Sequence, residues 1–186
     1  MIYCILGMTG AGKTTLAREV SKKLKIPIIV SYTSRPMRQG EQEDVDYHYV
    51  DNKYFDDNKD DFIEIRDYTV FDGSVWKYGY KKSDFRCQTS DYLVIIETDG
   101  FKAFKQYFGK DKLKPIMINS LTGDLYARLE KRGDNKKEIE RRINDDMQKF
   151  KIFTETEKCE NVYNYYDLEF AVKQLIHKIT KGDKNG

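Results

Sequence analysis

The chain lacks any long apolar run, is poor in cysteine and histidine, and carries almost no net charge. Each shortage excludes something. A membrane-spanning helix needs about 20 consecutive apolar residues, and no stretch of the 186 residues approaches that length. The opening Met1 to Leu6 is too short and lacks the basic start of a secretory leader, so a cytoplasmic protein without a membrane partner is expected. The 3 cysteines, Cys4, Cys87 and Cys159, are odd in number, far apart and without a CxxC pair. They make neither a disulfide framework nor a zinc site, and Cys4 reads as reduced core filler. His48 and His177 are isolated and lack the spacing of a metal pair. With 33 basic against 31 acidic side chains the net charge is +2, which argues against coating nucleic acid by bulk charge and leaves room for a local basic pocket. No internal repeat is present.

Charge is nevertheless abundant: 34% of residues are charged, above the roughly 25% of ordinary soluble proteins, so a heavily solvated surface is expected. The length suits one domain with a real core and a small inserted lobe.

The stretch that organises the rest is Gly7-Met8-Thr9-Gly10-Ala11-Gly12-Lys13-Thr14, followed by Thr15. It fits Gly, four residues of any kind, Gly, Lys, Ser/Thr, the phosphate-binding P-loop. Ile2 to Leu6 before it reads as a buried strand, and Leu16, Ala17, Val20 and Leu24 after it give a helix with one apolar face to about Lys25. A polyphosphate is a dense anion. The glycines let successive N–H groups point inward at it, and the new helix adds its positive end. Lys13 supplies a mobile cation near the β- and γ-phosphates, and the Thr14 hydroxyl is placed to ligand Mg²⁺. Ile28-Ile29-Val30 is expected to be a second buried strand, completing a βαβ unit and a parallel, helix-covered sheet.

Between residues 31 and 50 two arginines stand three apart, followed by Gly-Glu and then Asp-Tyr. Arginine's planar fork binds phosphate oxygens in pairs, so this is a place to hold a second phosphate. The pattern Ser31, Arg35, Arg38, Gly40, Glu41, Asp46, Tyr47, Val50 resembles the guanylate kinase family, with Ser34 for the usual Thr and Asp44 for a usual Gly. The resemblance runs from Ile2 to about Ile179. It implies a nucleoside monophosphate kinase that moves the γ-phosphoryl of ATP to GMP or dGMP, with Mg²⁺ as cofactor. Small-molecule nucleotides would be its partners, nucleic acid would not, and the chain would be a monomer or homodimer.

The family's site residues carry over position by position. Arg35, Arg38 and Tyr47 would clamp the acceptor phosphate. Phe62 to Tyr68 alternates as a strand, and Asp72-Gly73 reads as a two-residue hairpin turn. In the family this insert holds the acceptor base. Glu64 would accept from guanine, with Asp67 as a rival. Tyr78 would touch the phosphate, and Tyr80 replaces a small hydroxyl residue that helps read the base. Trp76 is expected to pack within the hairpin. Tyr92 to Gly100 reads as a buried strand ending in Glu97, assigned to the magnesium-water shell, and Asp99, assigned to the acceptor site or the metal surroundings.

Leu121, Leu125 and Leu129 give a core stripe to a helix that Gly133 ends. With the helix from about Lys137, this region resembles the family's lid. Arg132 and Arg142 would close over the phosphates, supported by Arg128. Val162 to Tyr165 reads as the last strand, with Asn164 toward the donor adenine. Asp167 is expected to cap a helix whose Leu168, Ala171, Val172, Leu175, Ile176 and Ile179 face inward.

The expected fold class is α/β: a parallel-sheet P-loop core with helices on both faces, an inserted β-rich lobe and a helical lid. The expected domains are 1–30, 86–125 and 150–186 for the core, 31–85 for the acceptor lobe and 126–149 for the lid. Three alternatives stay open: a related P-loop kinase with another acceptor (a different monophosphate, a sugar phosphate or a nucleic-acid end), a guanylate-kinase-like module that binds without catalysis, and a P-loop GTPase. The absence of Asn-Lys-x-Asp weighs against the last.

Overall fold

The computed structural model describes residues 1–70, 72–85, 90–165 and 167–181. Cys87, the flank of the hairpin turn at Phe71, the domain boundary at 86 and the tail beyond Lys181 lie outside the described residues. The chain divides into two units, one of Met1–Ile28, Asp91–Thr98 and Asp111–Gly186, the other of Ile29–Ser90 and Asp99–Lys110. Sequence alone assigned 99–110 to the core segment 86–125.

The first unit is a parallel sheet of β1 (Ile2–Leu6), β6 (Tyr92–Ile95), β7 (Leu113–Asn119) and β8 (Glu160–Tyr163) in the order β6-β1-β7-β8. All five residues of β1 are buried. Side chains alternate between the two faces of a strand, so both faces of the sheet are covered, as βαβ crossovers require. α1 (Lys13–Leu24), α4 (Thr122–Lys131), α5 (Lys136–Thr156) and α6 (Leu168–Thr180) supply Leu16, Val20, Leu125, Leu129, Ile139, Ile143, Ala171, Val172, Leu175 and Ile179 to one core. Asp167 caps α6 by accepting from the Phe170 N–H at 2.6 Å, a contact worth about 1 kcal/mol. Leu168 and Leu121, both expected inside, are exposed. Each stands at the start of its helix, where the apolar stripe has not yet turned to the sheet.

Two strand expectations fail for local reasons. Ile28-Ile29-Val30 shrinks to a single parallel bridge from Ile28 to Leu93, and the next ladder begins at Tyr32 in the other unit. The strand at Tyr92 stops at Ile95, and Asp99 lies in the first turn of a helix, α3 (Thr98–Phe108). Its spacing of Phe101, Phe104 and Phe108 is helical.

The second unit is a mixed sheet in the order β3-β2-β5-β4, with β2 (Tyr32–Thr33), β3 (His48–Tyr49), β4 (Phe62–Thr69) and β5 (Val75–Lys81). A short α2 (Asn52–Asp57), capped by Asp51, precedes β4. β4 ends at Thr69 and β5 begins at Val75, so the described strands stop short of the Asp72-Gly73 turn expected between them. The Val70 N–H donates to Ser74 O and the Gly73 N–H to Val70 O, with Gly73 at φ +85. Glycine adopts that left-handed φ without a Cβ penalty. Trp76 stacks on its cross-strand partner Tyr68, inside the hairpin. The core here is aromatic: Phe104 of α3 meets Tyr80 and Phe85 edge-on at 5.3 and 5.5 Å, and Phe55 packs on Phe62. Among the described residues no helix is long and apolar enough to cross a membrane.

Candidate active site

In the first unit the P-loop leaves β1 and enters α1 as its sequence requires. Gly12 caps α1 at φ +88. A Cβ there would meet Asn164 Nδ2 at 2.6 Å, so glycine is demanded by conformation and by space. The loop is held from outside as well. Asn164, expected near the donor adenine, is buried and donates to Ala11 O at 2.9 Å. Arg128 reaches Gly10 O, Ser120 Oγ and Asn164 O at 3.3, 3.2 and 3.2 Å. These two side chains brace the backbone of the loop through the carbonyls of Gly10 and Ala11. Thr14 and Thr15 open α1 with exposed side chains.

Lys13 donates to Gly7 O and Met8 O at 2.6 and 3.0 Å. Burial lowers its pKa; Asp146 and Glu97 act in the opposite direction, while Arg142 and Arg132 add to the lowering. Glu97, Arg132 and Arg142, which the sequence named separately, thus all act on one ammonium. Glu97, exposed just beyond β6, is one of them.

Arg132 and Arg142 owe their placement to the turn between α4 and α5. Gly133 takes φ +84, its N–H returns to Glu130 O, and the Asp134 N–H returns to Leu129 O. This glycine-ended helix turn projects the Asp134 carboxylate back onto Arg132 Nε at 3.1 Å and onto Nη2. Arg142 Nη1 lies 3.9 Å from the same carboxylate. One acid therefore holds two guanidinium groups that would otherwise repel. Arg141 differs from its neighbour: it pairs with buried Glu138 and with Asp145 along its own helix, three residues before and four after.

Asp146 was not singled out by sequence. It lies four residues after Arg142, on the same face of α5, and its Oδ2 accepts from the Thr9 N–H at 2.6 Å. Burial raises its pKa against the pull of that N–H and of Lys13. Asp134 was also missed, although its place directly after the helix-ending glycine was a usable signal.

In the second unit Arg35, 3% exposed, is gripped by Glu41 at 2.8 and 2.9 Å and donates to Pro36 O at 2.7 Å. Its guanidinium lies over the Tyr47 ring, 5.2 Å from the centroid. Burial works against its charge; Tyr78, Glu41 and Tyr47 outweigh that, so the group stays charged. The Arg38 N–H and the Tyr49 hydroxyl also reach Glu41, at 2.8 and 2.7 Å. Tyr78 meets the Tyr47 ring edge-on. Asp44 holds φ +61, a left-handed value that explains how it stands in a glycine position.

Glu64 is buried and accepts from Arg66 Nε at 2.9 Å, whereas Asp67 points to the other face of β4 and pairs with Lys77 at 3.0 Å. The Tyr80 ring is 1% exposed and packed against Phe85 and Phe104. It is therefore a core side chain, and only its hydroxyl, bonded to Ser31 and near Glu64 and Arg66, faces polar groups. Asp99 is exposed and pairs with Lys102.

A family model described as an AAA domain matches residues 4–151. A guanylate kinase of Fusobacterium nucleatum is 30% identical over 98% of this chain and 97% of its own. One from Bradyrhizobium diazoefficiens is 30% identical over 76% of this chain and 65% of its own length. The crystal structure of guanylate kinase from Anaplasma phagocytophilum superposes with a TM-score of 0.70 at 20% identity, over all of this chain and 87% of that one, a likeness of fold. With a P-loop between β1 and α1 and near-full-length similarity to a curated member, the chain belongs to the guanylate kinase family of P-loop proteins.

Proposed function

We propose that the chain transfers the γ-phosphoryl group of ATP to GMP or dGMP. The observation that carries this is a P-loop lysine seated on its own loop, Lys13 Nζ against Gly7 O and Met8 O, in the same unit as two arginines, Arg132 and Arg142, gathered on Asp134. A module that only bound a partner would have no need of a P-loop lysine and of two arginines acting on it. Phosphoryl transfer asks little covalent chemistry of a protein: the acceptor phosphate is already ionised, so positioning and charge neutralisation supply the rate.

In this reading the N–H groups from Gly7 to Thr15 and the Lys13 ammonium hold the donor phosphates, braced by Arg128 and Asn164. Residues 126–149 act as the lid, bringing Arg132 and Arg142 over the moving group and keeping water away. The core comprises 1–30, 86–125 and 150–186, and the acceptor lobe 31–85. Arg35, Arg38, Tyr47 and Tyr78 bind the acceptor phosphate. Glu64 accepts from adjacent guanine donors, with Ser31, Tyr80 and Asp99 completing that site. The donor set fits magnesium: a Thr14 hydroxyl and the Glu97 carboxylate are hard oxygen ligands, the first binding directly and the second through water. Mg²⁺, when bound, supplies neutralisation of phosphate charge. The protein would work in the cytoplasm as a monomer or homodimer.

A second reading, the same transfer to a different monophosphate, draws on the Arg66–Glu64 pair and on the burial of Tyr80. The test is ADP release from Mg·ATP with GMP, dGMP, AMP, dTMP, UMP and CMP, using Lys13→Ala as the blank. Turnover confined to GMP and dGMP is expected. Turnover with another base reassigns the acceptor, and an active Lys13→Ala protein removes the mechanism.

A further inference from the structure

The P-loop holds an anion supplied by its own chain. Asp146, 137 residues along the sequence, presents Oδ2 to the Thr9 N–H at 2.6 Å. The Lys13 ammonium is bonded to the Gly7 and Met8 carbonyls, with Asp146 the carboxylate acting on it most strongly. Inward N–H groups and a lysine are the means by which such a loop binds polyphosphate. A carboxylate presents the same chemistry as a phosphate edge: negative charge and acceptor oxygens.

We propose that Asp146 is a resident competitor for the donor's terminal phosphate. A nucleoside triphosphate must displace it from Thr9, by rotation of the side chain or by withdrawal of α5. This rests on reading the P-loop as the triphosphate site, and deepens that reading by adding its regulation. The contact has two consequences. The apparent affinity for triphosphate is reduced by the fraction of molecules in which Thr9 is engaged. Arg142 lies one turn away on the same helix face, so a shift of α5 that frees Thr9 also moves the guanidinium meant for the transferred group.

A merely structural role for Asp146 predicts something else: it would hold α5 in place, and its loss would loosen the loop and weaken phosphate binding. A part in holding the metal would likewise weaken Mg·ATP. Competition alone predicts a gain.

The experiment is calorimetric titration of wild type, Asp146→Asn and Asp146→Ala with Mg·ATP, with inorganic tripolyphosphate and with adenosine, after thermal unfolding confirms a native transition. Both variants are expected to bind Mg·ATP and tripolyphosphate about tenfold more tightly, the scale of a charge-assisted hydrogen bond. Adenosine, which lacks the phosphates, is expected to bind all three alike. Unchanged or weaker phosphate affinity in the variants overturns the proposal while leaving the nucleotide reading intact. Failure of the wild type and both variants to bind either phosphate ligand overturns both together. A measurement on the wild type needs no variant: saturation with tripolyphosphate is expected to shift the Asp146 side-chain carboxyl resonance, and a resonance that stays in place refutes displacement.

Discussion

Arg35 Nη2 lies 2.8 and 2.9 Å from the two carboxylate oxygens of Glu41, so an acid fixes the guanidinium proposed to meet the acceptor phosphate. Arg35 is buried and cannot be re-solvated if this partner is lost. Glu41→Gln is expected to lower stability by about 2 kcal/mol and to raise KM for the acceptor nucleotide at least tenfold. KM for Mg·ATP should stay unchanged. Denaturant unfolding and two-substrate kinetics check this, and an equal rise in both KM values would assign Glu41 to the fold alone.

The same carboxylate makes stability depend on pH. Burial tends to raise its pKa, but hydrogen bonds from Tyr49, the Arg38 N–H and Arg35 outweigh it and leave Glu41 below its ordinary value of 4.5. On acidification the unfolded chain therefore takes up this proton before the folded one. The stabilisation is fully present above 4.5 and is lost as pH falls through the lower folded value. Unfolding free energies measured from pH 7 to pH 3 should show the gap between wild type and Glu41→Gln narrowing only below that point.

Arg142 shares Asp134 with Arg132, at 3.9 Å from its oxygen. A lid guanidinium that acts on the moving phosphoryl group contributes in the transition state more than in the ground state. Arg142→Ala is expected to reduce kcat by about 10²-fold or more with KM nearly unchanged. Arg141→Ala, which removes the ion pairs with Glu138 and Asp145 along α5, should leave kcat within a factor of two of the wild type, so steady-state kinetics on the pair separates the two roles.

Glu64 reads the base only if its carboxylate is charged and aimed, and Arg66 holds it at 2.9 Å. Glu64→Gln replaces one acceptor oxygen by a donor facing the guanine donors. Preference for GMP over AMP, as the ratio of kcat/KM values, is expected to fall by about 10- to 100-fold. An unchanged ratio would move base reading elsewhere in the second unit.

Local spacing made the P-loop legible, because the backbone path of residues 7–14 is dictated by their own glycines and by the strand and helix on either side. The Asp167 cap and the helix stop at Gly133 were legible for the same reason: each is a short-range pattern with one physical use. Ile28 to Val30 was misread because a β-branched run states only a tendency to be extended. Whether it pairs depends on the strand beside it, and β6 meets it only at the single bridge from Leu93 to Ile28.

What only the tertiary structure decided are relations between distant residues. Period-two alternation puts Glu64 and Asp67 on opposite faces of a strand, but nothing in the spacing says which face is buried. Tyr80 read as a bulky intruder in a base site, until Phe104 and Phe85 turned its ring into core. Asp146 carried no signal beyond its distance from Arg142, and packing of α5 brought it to Thr9 across 137 residues. A phosphate cradle is written in consecutive residues because backbone N–H groups build it. The side chains that brace it, and the carboxylate that contests it, come from wherever the sheet and its helices bring the chain back.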